Sequence, residues 1–593
     1  MTGWMGTGNW FRWAVVPAAV VVAINVFFSL QFQTMWHALV DPRFTVGSVF
    51  VPAQLLDFAV VYYLSLLIFT LQKRPLYACL AVTLLAATAT LAGWLKYLFL
   101  AQAPRFGDLF LVDDALRGLP FRLSVSAAVV VTLSAGLLLW NFRLRTAAFG
   151  LFAALPAAVT AAALSWRAVS GAGAVERIRD TPYQTSAYYG FYLNFAFSAQ
   201  ERLESAVFPE KRTAVENGGR FPDLIAAGVP DLPRGNLHII VVESLIDVAR
   251  LGGYRFSRDP FPEKFRRWLT EGQSSSLSPI FGGFSADAEF EILCGLPVGF
   301  GDARIVFNDL APDRIACLPD KLAAKGWRTR ATVATSPQIF SLGRAYPKIG
   351  FERLTSEADL DLSDRDGKWI AADAMLDQVY RAVEKFEAAR KRYLNYVVVM
   401  SGHFPFVRDR TKRPDVIDVD PADDIIKAYA NAAYYNARAV ERYVERASLL
   451  DADAVFVIVG DHAPILGANF SRYRRSGVVG ADEIDPLVAN LRLYETAFVV
   501  VRGGKGIPTG RVAHFEIPYV ILNILSDGRF CRDNRCPAND RLMRPARNQV
   551  LIAKSRDDLR LACGPGAGAA GAGCAEAAAW RRFYRARLLE LTR

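Results

Sequence analysis

Apolar residues crowd the first 166 positions and thin out afterwards, where strand-like and helix-like periodicities alternate. Five apolar stretches in that first part, at 13–31, 50–71, 76–100, 123–142 and 147–166, are long enough to cross roughly 30 Å of hydrocarbon as helices. Arg12, then Lys73 and Arg74, then Arg143 and Arg145 fall on one side if the N-terminus is cytoplasmic, the side on which basic residues collect. An odd number of spans then places everything after 166 outside the cytoplasm. A cleavable signal peptide competes for the first stretch, but four more stretches follow and no small-residue cleavage site stands after Gln31, so a retained anchor is expected. Asp57 and Lys96 are ionisable groups inside these stretches. Lys96 is expected to snorkel and Asp57 to meet interhelical water, a polar notch for a lipid headgroup being the sharper alternative.

After an amphipathic juxtamembrane connector over 167–235, a dense β-branched run at 237–242 opens an α/β pattern. Further strands are expected at 329–333, 396–400, 454–459 and 497–501, with helices at 369–391 and 425–445 among them. Strands alternating with long helices predict a mainly parallel sheet between helices. The expected organisation is a transmembrane domain over 1–166, the connector, a catalytic α/β domain over 236–555, and a tail over 556–593 whose Gly and Ala-rich run lies between two cysteines.

Of the 593 residues 52% are hydrophobic, too many for ordinary globular packing and in keeping with a membrane part. The net charge of +11 does not point to nucleic acid, because the basic residues are scattered among acidic ones; beside a bilayer it fits anionic headgroups or charged glycans. Cys79 lies in the third stretch, and the other six cysteines, Cys294, Cys317, Cys531, Cys536, Cys563 and Cys574, all fall in the outer part. An even count there predicts disulfides in an oxidising compartment, paired by proximity, although six cysteines allow other connectivities. A zinc site at Cys531 and Cys536 is the alternative, but no second ligand pair accompanies them.

In parallel sheets, ligands collect at the carboxyl ends of strands. There the first run delivers Glu243, the run at 396–400 delivers Ser401, Gly402 and His403, and the run at 454–459 delivers Gly460, Asp461 and His462. Singly, each reads as a helix cap or turn residue. Consecutive Asp and His after a buried strand are a rarer way to build a turn, and the chain has only five His, two of them at these ends. Such a mixed set suits a divalent cation such as Mn, Zn or Mg. Ser285 follows Gly282 and Gly283 and opens a helical stretch at 286–293, so it reads either as a helix N-cap or as a hydroxyl activated by a cation near helix amides.

Four motifs in order, Val-Val-Glu-Ser at 241–244, Phe-Ser-Ala-Asp-Ala-Glu-Phe at 284–290, Ser-Gly-His-Phe-Pro-Phe at 401–406 and Gly-Asp-His at 460–462, resemble the lipoteichoic acid synthase and phosphoglycerol transferase branch of the alkaline phosphatase and sulfatase superfamily. The Cys-Gly-Leu-Pro run at 294–297 and the Cys-Leu-Pro-Asp-Lys-Leu run from Cys317 are similar to periplasmic phosphoglycerol transferases that modify glucans. The resemblance implies Glu243, Ser285, Asp461 and His462 as metal ligands, Ser285 also as nucleophile, His403 at the transferred phosphate or leaving group, and Arg344 as a substrate-phosphate residue, although the spacing around Arg344 differs. The branch usually carries Thr at the nucleophile; Ser offers the same chemistry.

The expected function is metal-dependent transfer of a substituted phosphoryl group, phosphoglycerol first, from a membrane phospholipid donor to an extracytoplasmic glycan or lipid-linked acceptor, by a multi-pass inner-membrane protein with its catalytic domain in the periplasm. The alternatives are a phosphoethanolamine transferase acting on lipopolysaccharide or glycan, a phosphodiesterase or sulfatase-like hydrolase, and a non-catalytic lipid sensor. The Cys-x-Pro-x-Arg signature of formylglycine sulfatases is absent, since Cys317 begins Cys-Leu-Pro-Asp-Lys.

Overall fold

The computed structural model describes residues 9–31, 46–70, 75–100, 108–109, 121–140 and 220–592, the last range without 300–304, 312, 389–390, 468–469, 481–482, 484–486, 488–489, 538–541, 547–548 and 553–571. The chain divides into two units, Met1–Lys211 and Arg212–Arg593.

In the first unit, helices α1 (Asn9–Gln31), α2 (Val46–Thr70), α3 (Pro75–Leu100) and α4 (Phe121–Trp140) occupy the first four apolar stretches. The fifth, at 147–166, lies outside the described residues, as does the connector over 167–219. Among the described residues, Leu76–Lys96 alone is long and apolar enough by itself to cross a membrane; Arg12–Phe27, Asp57–Phe69 and Val129–Trp140 are shorter apolar stretches. Small residues on α1 let it approach two helices: Ala14 packs with Phe69, Ala78 and Cys79, and Ala18 with Val61 and Ala86. Leu76, Leu80, Leu84, Leu91 and Leu95 of α3 remain exposed. Polar groups are inside: the buried Asp57 carboxylate accepts from Asn25 Nδ2 (3.0 Å), whose Oδ1 accepts from Trp94 Nε1 (2.9 Å). Lys96 pairs with Asp108 at 2.6 Å. Asp57 and Lys96 thus each have a protein partner.

In the second unit nine strands form one sheet: β1 (Leu237–Val242), β2 (Ser275–Leu277), β3 (Arg328–Val333), β4 (Arg353–Thr355), β5 (Tyr393–Val399), β6 (Val455–Gly460), β7 (Glu495–Arg502), β8 (Lys505–Ile507) and β9 (Arg511–Ala513). Their order is β9-β2-β7-β6-β1-β5-β3-β4, with β8 pairing β7. From β6 to β4 all neighbours run parallel. Every residue of β1, β5 and β6 is buried, which is why, His238 and Asn395 apart, they read as apolar runs. On the other flank β7 is antiparallel to β6, β8 and β2. The sheet is therefore mixed, mainly parallel as expected but with an antiparallel flank at β7: β8 follows β7 after a two-residue turn, too short for the crossover that parallel pairing needs.

The helices that concern the site are α5 (Ser285–Cys294), α6 (Leu318–Ala324), α7 (Leu342–Lys348), α8 (Ala372–Ala388), α9 (Asp424–Leu450) and α10 (Ala572–Leu591). The helix expected from 369 starts later, because Trp369–Ile370 pairs with Arg365–Asp366 in a small hairpin. Residues 220–235 pack into the domain, with the Phe221 ring against Phe583 and Tyr584 of α10. Disulfides join Cys294 to Cys317 and Cys531 to Cys536, so the latter pair is no zinc site. Cys574 is also disulfide-bonded. Its expected partner Cys563 lies outside the described residues.

Candidate metal centre

β1 and β6 are neighbours in register, Val242 opposite Gly460, so the residues that follow them emerge side by side at one sheet edge. Glu243 follows β1 and its amide still donates to Val399 O (2.9 Å), continuing the ladder to β5. Asp461 and His462 follow β6. Ser244 then turns in the left-handed region (φ 56°). This turn aims its amide at Asp461 Oδ1 (2.7 Å) and its hydroxyl at Glu243 Oε1 (2.6 Å).

A third segment is hooked onto the same edge. The Ser278 hydroxyl donates to the Asp461 carbonyl (2.6 Å), and the Gly282 amide donates to the Ala463 carbonyl (3.2 Å). Gly282 sits at φ 74°, and the left-handed N-cap of α5 is Phe284 (φ 63°), with no side-chain capping bond. Ser285 is therefore the first residue inside the helix and not its cap, which frees its hydroxyl from capping. That hydroxyl is near enough to the Asp461 carboxylate to favour its ionised form.

Glu243, Asp461 and His462 are all buried, and one ligand atom of each lies within 4.8 Å of the others. His462 Nδ1 donates to the Ala463 carbonyl (3.1 Å), which turns Nε2 towards Asp461 Oδ2 (3.4 Å) and Glu243 Oε1 (3.6 Å). Glu243 Oε2 is buried with no hydrogen-bond partner. Burial raises the Asp461 carboxyl to about 6, with the Glu243 charge adding to it, against the lowering influence of His462, the Ser285 hydroxyl and the Ser244 amide. Burial would lower His462, but the charges of Asp461 and Glu243 outweigh it and raise the imidazole. Two carboxylates, an imidazole nitrogen and a hydroxyl around an unsatisfied buried oxygen form a donor set that fits a divalent cation.

The other expected site residues lie less close. His403 sits at the same edge after β5, half-buried, its Nδ1 donating to the Phe404 carbonyl (2.7 Å) and its ring 5.6 Å from that of Trp369; it is not one of the three clustered residues. Arg344, in the first turn of α7, donates to the Asn308 carbonyl (2.8 Å) and to the Ser341 hydroxyl (3.3 Å), not to the cluster. Ser244 and Ser278, which hold the three segments in place, escaped the reading of the sequence. Ser244 carried a signal, since it adjoins Glu243 at a strand end; Ser278 carried none.

Residues 236–506 match the family model described as Sulfatase. Two curated relatives come from Rhizobium meliloti (strain 1021). One is named for cyclic beta-1,2-glucan modification, with 23% identity over 60% of this chain and 56% of the relative. The other is a capsular polysaccharide biosynthesis protein, with 26% identity over 41% of this chain and 46% of the relative. The chain thus spans about half the length of each. A solved lipoteichoic acid synthase from Listeria monocytogenes superposes with a TM-score of 0.45 at 14% identity, over 62% of this chain and 97% of that one. With its strand-end acids and histidine in place, the segment 236–506 is a domain that matches the Sulfatase family.

Proposed function

We propose that the chain is a membrane-anchored phosphotransferase that moves a substituted phosphoryl group, phosphoglycerol before phosphoethanolamine, from a phospholipid to an extracytoplasmic glycan through a phospho-Ser285 intermediate. The observation that carries this reading is the convergence of Glu243, Asp461 and His462 within 4.8 Å, with Ser285 at the start of the helix hooked onto the same sheet edge. A divalent cation held by these four residues supplies charge neutralisation at the phosphoryl oxygens and makes the hydroxyl more acidic. Ser285 Oγ loses its proton to solvent and bonds to the donor phosphorus as the bond from phosphorus to the diacylglycerol oxygen breaks. His403 gives that leaving oxygen a proton. The acceptor hydroxyl returns a proton to His403 as it takes the phosphorus, and Ser285 recovers its own from solvent.

Exposed leucines along α3 around a buried Asn25–Asp57–Trp94 network support an anchor solvated by lipid, with the sulfatase-family domain in the periplasm of an inner-membrane protein. Two relatives named for glycan chemistry support a glycan acceptor. The Cys-Gly-Leu-Pro run at 294–297 supports phosphoglycerol. The test replaces Ser285 by Ala in the full chain, supplied with phosphatidylglycerol vesicles and a glucan acceptor. Transfer is expected to disappear; undiminished transfer overturns the mechanism, and the added mass on the glycan identifies the group.

A further inference from the structure

Glu289 stands one helical turn after Ser285 on α5, on the same face, and is buried with 3% of its surface exposed. Its Oε2 accepts from two hydroxyls: that of Tyr346 on α7 and that of Tyr396 on β5 (2.9 Å). Both tyrosines are fully buried. Tyr396 sits in the strand next to β1, opposite Ile239. A third carboxyl is therefore locked in the interior beside the strand that ends in Glu243, and the function proposed above gives it no work.

Its environment is contradictory. Burial, with the charges of Asp461 and Glu243 adding to it, raises the carboxyl to about 7 against the two phenol donors, which serve a carboxylate best and work the other way. A carboxyl that only packed would not need two donors suited to its ionised form, and one that repels two neighbouring carboxylates is a liability unless positive charge arrives among them.

We propose that Glu289 is an outer carboxylate of the cation site: it does not ligate the ion, but its charge, held by Tyr346 and Tyr396, deepens the negative potential that binds the ion through Glu243, Asp461 and His462. This rests on the metal reading of those residues. Groups behind the ligands commonly change metal affinity by roughly 10–100-fold. The sign of its effect on the metal-free protein is opposite, because without the ion its charge only adds repulsion.

The experiment compares the full-length wild type with Glu289→Gln, both stripped by chelation in detergent. Calorimetric titration with Mn²⁺ alone reads affinity, and thermal unfolding of the metal-free forms reads stability. Expected for E289Q is Mn²⁺ binding weaker by about 10–100-fold with metal-free unfolding at or above the wild-type temperature. Affinity within about twofold of wild type, or a loss of affinity that comes with a lower metal-free unfolding temperature, overturns the inference. If E289Q does not fold, the double variant Y346F/Y396F, which withdraws both donors and favours the neutral acid, carries the same expectation for Mn²⁺ affinity alone; unchanged affinity there overturns it. A wild type that binds no Mn²⁺, Zn²⁺ or Mg²⁺ instead removes the metal reading itself.

Discussion

The main-chain amide of Ser244 donates to Oδ1 of Asp461 at 2.7 Å, so the residue after one metal-type ligand fixes the orientation of the next. The Ser244 hydroxyl occupies Glu243 Oε1 and the His462 amide donates to Asp461 Oδ1 (2.8 Å). His462 Nε2 faces Asp461 Oδ2 (3.4 Å) and Glu243 Oε1 (3.6 Å), and Glu243 Oε2 is left buried without a partner. The hydrogen-bond donors of this neighbourhood thus go to one oxygen of each carboxylate.

Removing the cation should therefore leave two carboxylates repelling in a dry site. Chelation is expected to lower the unfolding temperature of the wild type, by an amount equivalent to about 2.7 kcal/mol when the ion stands at roughly 100 times its dissociation constant. In Glu243→Gln the chelator should have little effect. Calorimetry with and without chelator checks both.

His238 predicts an acid sensitivity separate from the site. It lies mid-strand in β1, stacked on Phe456 (4.6 Å), with Nδ1 2.8 Å from the Tyr443 hydroxyl, which itself accepts from Asn395. Burial holds this imidazole neutral down to about 3, against 6.5 for a free one. Between those values the unfolded chain binds a proton that the folded chain refuses. The stability it supports is full above pH 6.5 and drains away as the pH falls towards 3, at about 1.4 kcal/mol per pH unit. Denaturant titrations from pH 7 to 4 should show a shallower decline in His238→Gln by about that slope.

The parts of this fold that could be read in the sequence are those whose physics is local. β1 was read residue for residue because all six of its positions are buried and all but His238 are apolar. The Asp-His pair could be read because β6 is equally apolar up to Gly460. β2 and β9, three residues each with Ser or Arg among them, become strands only because β2 adds to the β7 edge and β9 adds to β2, and nothing local announces that. Ser285 was ambiguous between cap and nucleophile; the left-handed Phe284 that decides it is an unusual cap no propensity would choose. Trp369 looked like the start of a helix, and its place beside His403 depends on a hairpin pressed against the loop after that histidine, where Gly367 faces Val407.

The disulfides should contribute unequally. Cys294–Cys317 ties the end of α5 to the start of α6 across a separation of 23 residues, whereas Cys531–Cys536 closes only 5. Loop-closure entropy then assigns the first about 3 kcal/mol and the second less. Cys294→Ala with Cys317→Ala should lower the denaturant midpoint clearly more than Cys531→Ala with Cys536→Ala, and reductant should affect the second double variant more than the first.

Gly460 offers the sharpest test of how the sheet edge makes the site. A Cβ there would stand 2.1 Å from the Leu245 carbonyl oxygen and 2.9 Å from its carbon, both backbone, so no side chain can yield. That carbonyl also accepts from the Ala497 amide of β7 (2.9 Å), which pins it. Gly460→Ala must therefore push the end of β6, and with it Asp461 and His462, away from the turn that follows Glu243. Overpacking of this kind costs about 1–3 kcal/mol, which the large sheet should survive. The site should not: a misplacement of about 1 Å costs on the order of 100-fold in rate. A folded G460A chain with an unchanged transfer rate and unchanged Mn²⁺ affinity would show that Glu243 and the Asp461–His462 pair need not be held together for activity.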